Sequence, residues 1–226
     1  YWASSSEPII TRWELLPDGG FQRGPTVSFA NLGLSSAYSA SSTPLLSSDK
    51  AYFADQDQGG VVVWNPREMT VLGYIPLELP DDGALSPVVF TELSVRADRV
   101  FASVYWTDRN DWTRIGVRSR LVAIDPASDG IVGVTDEFRC NQLALGGVAS
   151  DGTAYFSSRS FFTLPRLALG ADFGAGSCSL RVVPSGEAFE QGFDVDLGAL
   201  VGGRPAGDFT LVSDEVGFIR VWHPEV

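Results

Sequence analysis

A short strand ending in proline recurs along the chain, and this repeat limits the fold more than any other feature. Val63-Trp64-Asn65-Pro66 returns as Ala123-Ile124-Asp125-Pro126, as Arg181-Val182-Val183-Pro184 and, nearly letter for letter, as Val221-Trp222-His223-Pro224. Trp13-Glu14-Leu15-Leu16-Pro17 is a looser copy. The prolines fall roughly 40–60 residues apart, the period of stacked repeat units or propeller blades. Each copy has an aromatic companion upstream. Lys50-Ala51-Tyr52-Phe53-Ala54-Asp55 aligns with the segments starting at Arg99, Thr153 and Asp208, and Tyr1-Trp2-Ala3-Ser4 resembles the tail of another. Aromatic and β-branched residues between polar turns predict strands. A further strand is expected after each proline, as at Met69–Leu77, Gly130–Phe138 and Ala188–Leu197.

A unit therefore contains an inner strand, an aromatic strand, a proline-ending strand and an outer strand. Four antiparallel strands in such a length make one propeller blade. No long stretch places apolar residues at the 3–4 spacing of a helix. The expected fold is all-β, a single propeller array over residues 1–226. The expected blades are 35–80, 81–138 and 139–197, with partial blades at 1–34 and 198–226. The chain starts at Tyr1 within an aromatic strand, and its one methionine is Met69, so further blades are expected to flank it.

Composition narrows the partners. Asp and Glu number 28 against 16 Lys and Arg, giving a formal net charge of −12. That balance disfavours nucleic acid or an anionic lipid surface as a partner, since both require clustered positive charge. Cys140 and Cys178 are the only cysteines and fall in one blade neighbourhood. The even count, with few lysines and abundant Ser, Gly and Trp, favours export and a disulfide over two free thiols.

Chemistry is expected in the connections between the aromatic and proline-ending strands, because variable loops of a propeller gather at the mouths of its channel. The connection from Tyr105 to Arg118 interleaves Trp106 and Trp112 with Arg109 and Arg114. That from Arg159 to Ser177 begins Arg-Ser-Phe-Phe, with Phe161 and Phe162. Arginine gives bidentate hydrogen bonds to anionic oxygens, and tryptophan offers a broad stacking face. Tyr105, Trp106, Arg109, Trp112, Arg114, Arg139, Arg159, Phe161 and Phe162 are thus the candidate residues for a planar, anionic, aromatic ligand. The plainer alternative is that the tryptophans pack the loop while the arginines pair with Asp108 and Asp111.

The catalytic inventory is thin. The single histidine, His223, occupies the turn position filled by Asn65 and Asp125 in sister repeats, which argues against a Ser-His-Asp triad. One His and two paired cysteines do not assemble a zinc site, and no cofactor is expected. Residues 55–60 have alternating oxygen ligands but lack the distal acidic ligand of a calcium loop. Paired carboxylates of the glycosidase kind stay open with so many acids in the chain.

Ile9-Ile10-Thr11-Arg12-Trp13-Glu14-Leu15, Asp18-Gly19-Gly20-Phe21 and Val27-Ser28-Phe29-Ala30-Asn31-Leu32-Gly33 resemble the opening blade of bacterial propeller lipoproteins related to the myxobacterial iron-transport protein of the myxochelin cluster. Lys50–Phe53, Val63–Pro66, Ile75-Pro76-Leu77, Val104-Tyr105-Trp106, Val122–Asp125, Arg139-Cys140 and Cys178–Arg181 continue the resemblance. It implies a ring of about seven or eight blades on a secreted or outer-surface lipoprotein. It further implies capture of a ferric siderophore and delivery to an outer-membrane transporter. The function expected is therefore non-enzymatic ligand binding, in the periplasm or at the outer-membrane surface. Two alternatives are a protein-interaction scaffold and a carboxylate-based hydrolase or lyase.

Overall fold

The computed structural model describes residues 1–37, 44–56, 58–89, 93–96, 98–108, 110–111, 114–159 and 176–223. It packs as two compact units, Tyr1–Leu79 with Val89–Leu93, and Pro80–Val88 with Ser94–Val226. The fold is all-β, a set of antiparallel sheets with very little helix.

Among the described residues the first unit holds two three-stranded sheets. Strands β1 (Trp2–Ala3), β2 (Ile9–Leu15) and β3 (Phe21–Ser28) form one in that order. Strands β4 (Ala51–Asp55), β5 (Gly60–Asn65) and β6 (Thr70–Pro76) form the other. An isolated bridge, Leu45 to Ala51, adds a further antiparallel contact beside β4. Strand β4 is buried at every position, and so is β5 except at Asn65. β6 alternates toward solvent, as an outer strand with one wet face should. Ile10, Val27, Phe29, Phe53, Val62 and Trp64 share the core. Phe29 meets Phe53 edge-on at 4.9 Å and Trp64 at 6.3 Å, the arrangement that aromatic quadrupoles favour.

Among the described residues the second unit holds three sheets. Strands β8 (Ser94–Arg96), β9 (Arg99–Thr107), β10 (Ile115–Asp125) and β11 (Gly130–Glu137) follow one another as an antiparallel meander, and β7 (Ser86–Val89) also pairs with β9. Strands β12 (Leu143–Val148), β13 (Ala154–Ser158), β14 (Cys178–Val182) and β15 (Val195–Asp196) form a second meander. A short helix α1 (Leu197–Leu200) precedes the hairpin of β16 (Ala206–Ser213) and β17 (Val216–Val221). Phe101, Leu121 and Ala123 from one meander pack with Leu143, Phe156, Leu180 and Val182 from the next. The Cys140–Cys178 disulfide lies in that core, with Cα atoms 5.6 Å apart. On the far side β12 meets β16 through glycine: a Cβ at Gly146 would lie 2.2 Å from the Phe209 carbonyl oxygen.

Two sequence expectations change. The outer strand predicted over 188–197 shrinks to β15, because Arg181 holds the Glu190 side chain and Arg139 holds the backbone carbonyls of Glu190, Gln191 and Phe193. Those bonds replace a ladder with a tethered turn. The connection predicted from Tyr105 to Arg118 also shortens, since β9 runs on through Trp106 and β10 starts at Ile115.

Candidate functional site

The β9–β10 connection closes on itself. The Asp108 amide donates to the Arg114 carbonyl and the Arg114 amide to that of Asp111, at 3.0 and 2.9 Å. The Arg114 guanidinium donates to the Asp108 carboxylate at 2.9 Å. This is the plainer pairing that the loop sequence allowed. Arg109 and Trp112 lie outside the described residues.

Trp106 is a core residue. Its side chain is fully buried, and its indole N–H donates to the Pro80 carbonyl at 3.0 Å. Arg118 stacks over the ring at 4.3 Å, with Arg120 at 5.6 Å. Both guanidiniums bind Asp136 on β11, at 2.7 Å from Arg118 and 2.6 Å from Arg120. The Arg120 hydrogen bond is the main reason the Asp136 carboxyl sits below its usual pKa, with Arg118 adding to it against the opposing effect of burial. Arginines at alternate positions of β10 thus cover one tryptophan and share one acid. Tyr105, on the next position of β9, is nearly buried at 7% exposure.

Arg139 is likewise occupied. It grips the Glu137 carboxylate through Nε at 3.0 Å and Nη2 at 2.6 Å. The same carboxylate accepts the backbone N–H groups of Phe138 and Arg139. Burial alone would push the Glu137 pKa up, but the Arg139 hydrogen bond and these backbone donors together hold it below the ordinary value. Arg159 lies 3.9 Å from Asp208, which also binds Arg220 at 3.1 Å. Phe161 and Phe162 lie outside the described residues. The structure therefore places Trp106, Arg114 and Arg139 in intramolecular roles.

At the candidate calcium loop, Asp55 turns inward. One carboxylate oxygen accepts from the Gln58 amide, and the other from the Tyr74 hydroxyl at 3.0 Å. Burial first, and then the charge of Asp55, raise the Tyr74 pKa well above the usual phenol value. Asp57 lies outside the described residues, among which no cluster of three or more His, Cys, Asp or Glu side chains is disposed to hold a metal ion.

A different feature escaped the sequence reading. Tyr1, Trp2, Trp13 and Phe21 line an open cleft of about 530 Å³ on the β1–β3 sheet. All four are exposed, Phe21 at 70%, and Leu15 beside them stands at 69%. In the sequence each reads singly as a strand residue. Alternation at Trp13 and Leu15 on β2, and at Phe21 and Arg23 on β3, is the signal that places them on one face.

The chain matches no protein-family model, and no curated protein is similar to it.

Proposed function

We propose that this chain is an exported, non-enzymatic binding protein built of successive propeller blades, with its ligand taken at the connections between the second and third strands of each blade. The observation that carries the reading is the pair of four-stranded meanders, β8–β11 and β12–β15. Within each meander, strands consecutive in sequence pair with one another, with β7 an added partner of β9, and the two sheets share a core. Their aromatic strands β9 and β13 are succeeded by the connections at 108–114 and 159–177, the second much the longer. Radial repetition of such sheets would bring these connections to one mouth.

The Cys140–Cys178 disulfide suits an oxidising compartment, such as the periplasm or the cell exterior. The ligand class, an anionic aromatic such as a ferric siderophore passed on to an outer-membrane transporter, rests on the resemblance at blade level. Arg109, Trp112, Phe161 and Phe162 carry that part of the proposal, with Arg159 at the strand end. Tryptophan fluorescence quenching on titration with ferric tris-catecholate tests it. Arg109→Ala with Arg159→Ala should weaken binding at least tenfold; unchanged affinity defeats the assignment.

A second reading, a docking scaffold for another envelope protein, is favoured by the β16–β17 hairpin. It exposes Val212, Val216 and Phe218, the last at 64%.

A further inference from the structure

The aromatic cleft of the first unit shares its sheet face with Arg23. In the β2–β3 ladder, Trp13 stands directly opposite Arg23 and Leu15 opposite Phe21. On the other side of β2, Trp2 pairs with Thr11, two positions from Trp13. The register shift between Thr11 and Trp13 sits on the β3 side, at Gly24-Pro25, so β2 keeps its alternation. Trp2, Trp13, Phe21 and Arg23 therefore project from one face. Directly opposed residues of an antiparallel pair have Cβ atoms about 5 Å apart, so Arg23 and Trp13 leave the sheet as neighbours on that face, with the guanidinium outside the set of groups that line the cleft and the side chain long enough to reach its rim.

Arg23 is unlike its fellows. Among the described residues every other arginine has a carboxylate or a carbonyl within reach, for example Arg12 on the Arg67 carbonyl, Arg67 on Asp49, Arg99 on Glu187 and Arg204 on the Val201 carbonyl. Arg23 is exposed and has no hydrogen bond or ion pair among the described residues. In a chain of net charge −12, with acids in excess, an arginine left unpaired on a sheet face of exposed aromatic rings is a placement that needs a reason.

We propose that the cleft is a binding site for a small planar aromatic molecule bearing a carboxylate, with the rings of Trp2, Trp13, Tyr1 and Phe21 enclosing its apolar body and Arg23 receiving its anion. The cleft volume falls within the range of small-ligand pockets. Indole faces give offset stacking to a flat ligand, and guanidinium matches a carboxylate with two parallel donors. An aromatic ammonium would meet Arg23 as a like charge, and a neutral aromatic would leave it unused. The site is built from strands other than those of the mouth proposed above, so it stands or falls separately.

Titration calorimetry of the 226-residue chain with 2-naphthoate, 2-naphthalenemethanol and 2-naphthylmethylammonium tests the assignment. Naphthoate should bind at least tenfold tighter than the alcohol, and the ammonium weakest. Arg23→Gln should bring naphthoate down to the affinity of the alcohol and leave the alcohol unchanged. Trp13→Ala should weaken both at least tenfold, and Trp2→Phe, which keeps an aromatic face, should weaken them less. Circular dichroism checks that each variant folds. Equal binding of acid and alcohol by the unaltered chain overturns the proposal, as does binding that survives Trp13→Ala. Sedimentation showing a dimer that dissociates on Trp13→Ala also overturns it, since the face would then belong to a second copy. Loss of affinity in the Arg109 and Arg159 variants, with naphthoate binding intact, would separate the two sites.

Discussion

Arg139→Ala is the sharpest test of the packing described here. The Glu137 side chain is only 5% exposed and receives two charged hydrogen bonds from this guanidinium. The same guanidinium reaches the carbonyls of Glu190, Gln191 and Phe193 at 3.0–3.3 Å and so ties down the turn before β15. Truncation leaves a buried carboxylate with two backbone donors and no counter-charge. Removing one partner of a buried pair typically costs about 3–5 kcal/mol. In a chain of this size that is a fall in Tm of roughly 6–20 °C. Protonation offers Glu137 a partial escape, so the loss should depend on pH. The folded carboxyl has its pKa held below the unfolded value of about 4.3. Its stabilisation is therefore fully present above that value and fades as pH falls through the folded pKa. Urea unfolding followed by tryptophan fluorescence at pH 7, and again near pH 4, measures both effects. Glu137→Gln in the Arg139→Ala background should recover much of the loss. A cost below about 1 kcal/mol at pH 7, equal in the presence and absence of Glu137, would refute the buried-pair argument.

Three further outcomes are expected. Replacing Cys140 and Cys178 together by alanine reopens a loop with a sequence separation of 38; the chain-entropy relation puts the cost at about 4 kcal/mol, and free-thiol titration of the native protein should find none. Gly146→Ala drives a Cβ to 2.2 Å from the Phe209 carbonyl oxygen and should destabilise by about 1–3 kcal/mol, whereas Gly73→Ala, with nothing within 4 Å, should stay within about 0.5 kcal/mol by thermal unfolding. Arg96→Met removes a guanidinium that is 3% exposed and bonds the Val183 and Gly186 carbonyls at 2.9 Å each; at least about 2 kcal/mol should be lost in urea titration, and a smaller loss would show that water replaces it.

The strands were legible wherever both faces are buried. β4, β5, β9 and β10 read as aromatic or β-branched runs because burial on two sides admits little else. The outer strand at 188–197 was not legible, because Arg139 and Arg181 decide it from a distance in sequence, and local propensity carries no trace of them. The sequence reads Trp106 as part of a loop, in a segment that runs on through the polar Asp108, Arg109 and Asn110. The countersignal lies across the sheet, where Arg118 and Arg120 sit at alternate positions of β10 and close over its ring.

The same alternation explains why arginines alone are poor guides to a binding site in this chain, and why one of them is a good guide. Residues two apart on a strand share a face, so an arginine with an acid at that offset is spoken for before the fold closes. Arg12 has Glu14 on β2, while Arg96 with Asp98 and Arg139 with Glu137 keep the same offset across a strand end, and each pair is formed in the structure. Arg118 and Arg120 have no such acid on β10 and take Asp136 from the neighbouring strand instead. Arg114 reaches back across its loop to Asp108. Arg23 has Phe21 on one side and Pro25 on the other, and Trp13 rather than an acid opposite. The sequence around it supplies no anion at any of the offsets that serve the others. Under the proposal above, the anion that Arg23 receives comes from outside the strand pair, carried by a molecule held in the aromatic cleft on the same sheet face.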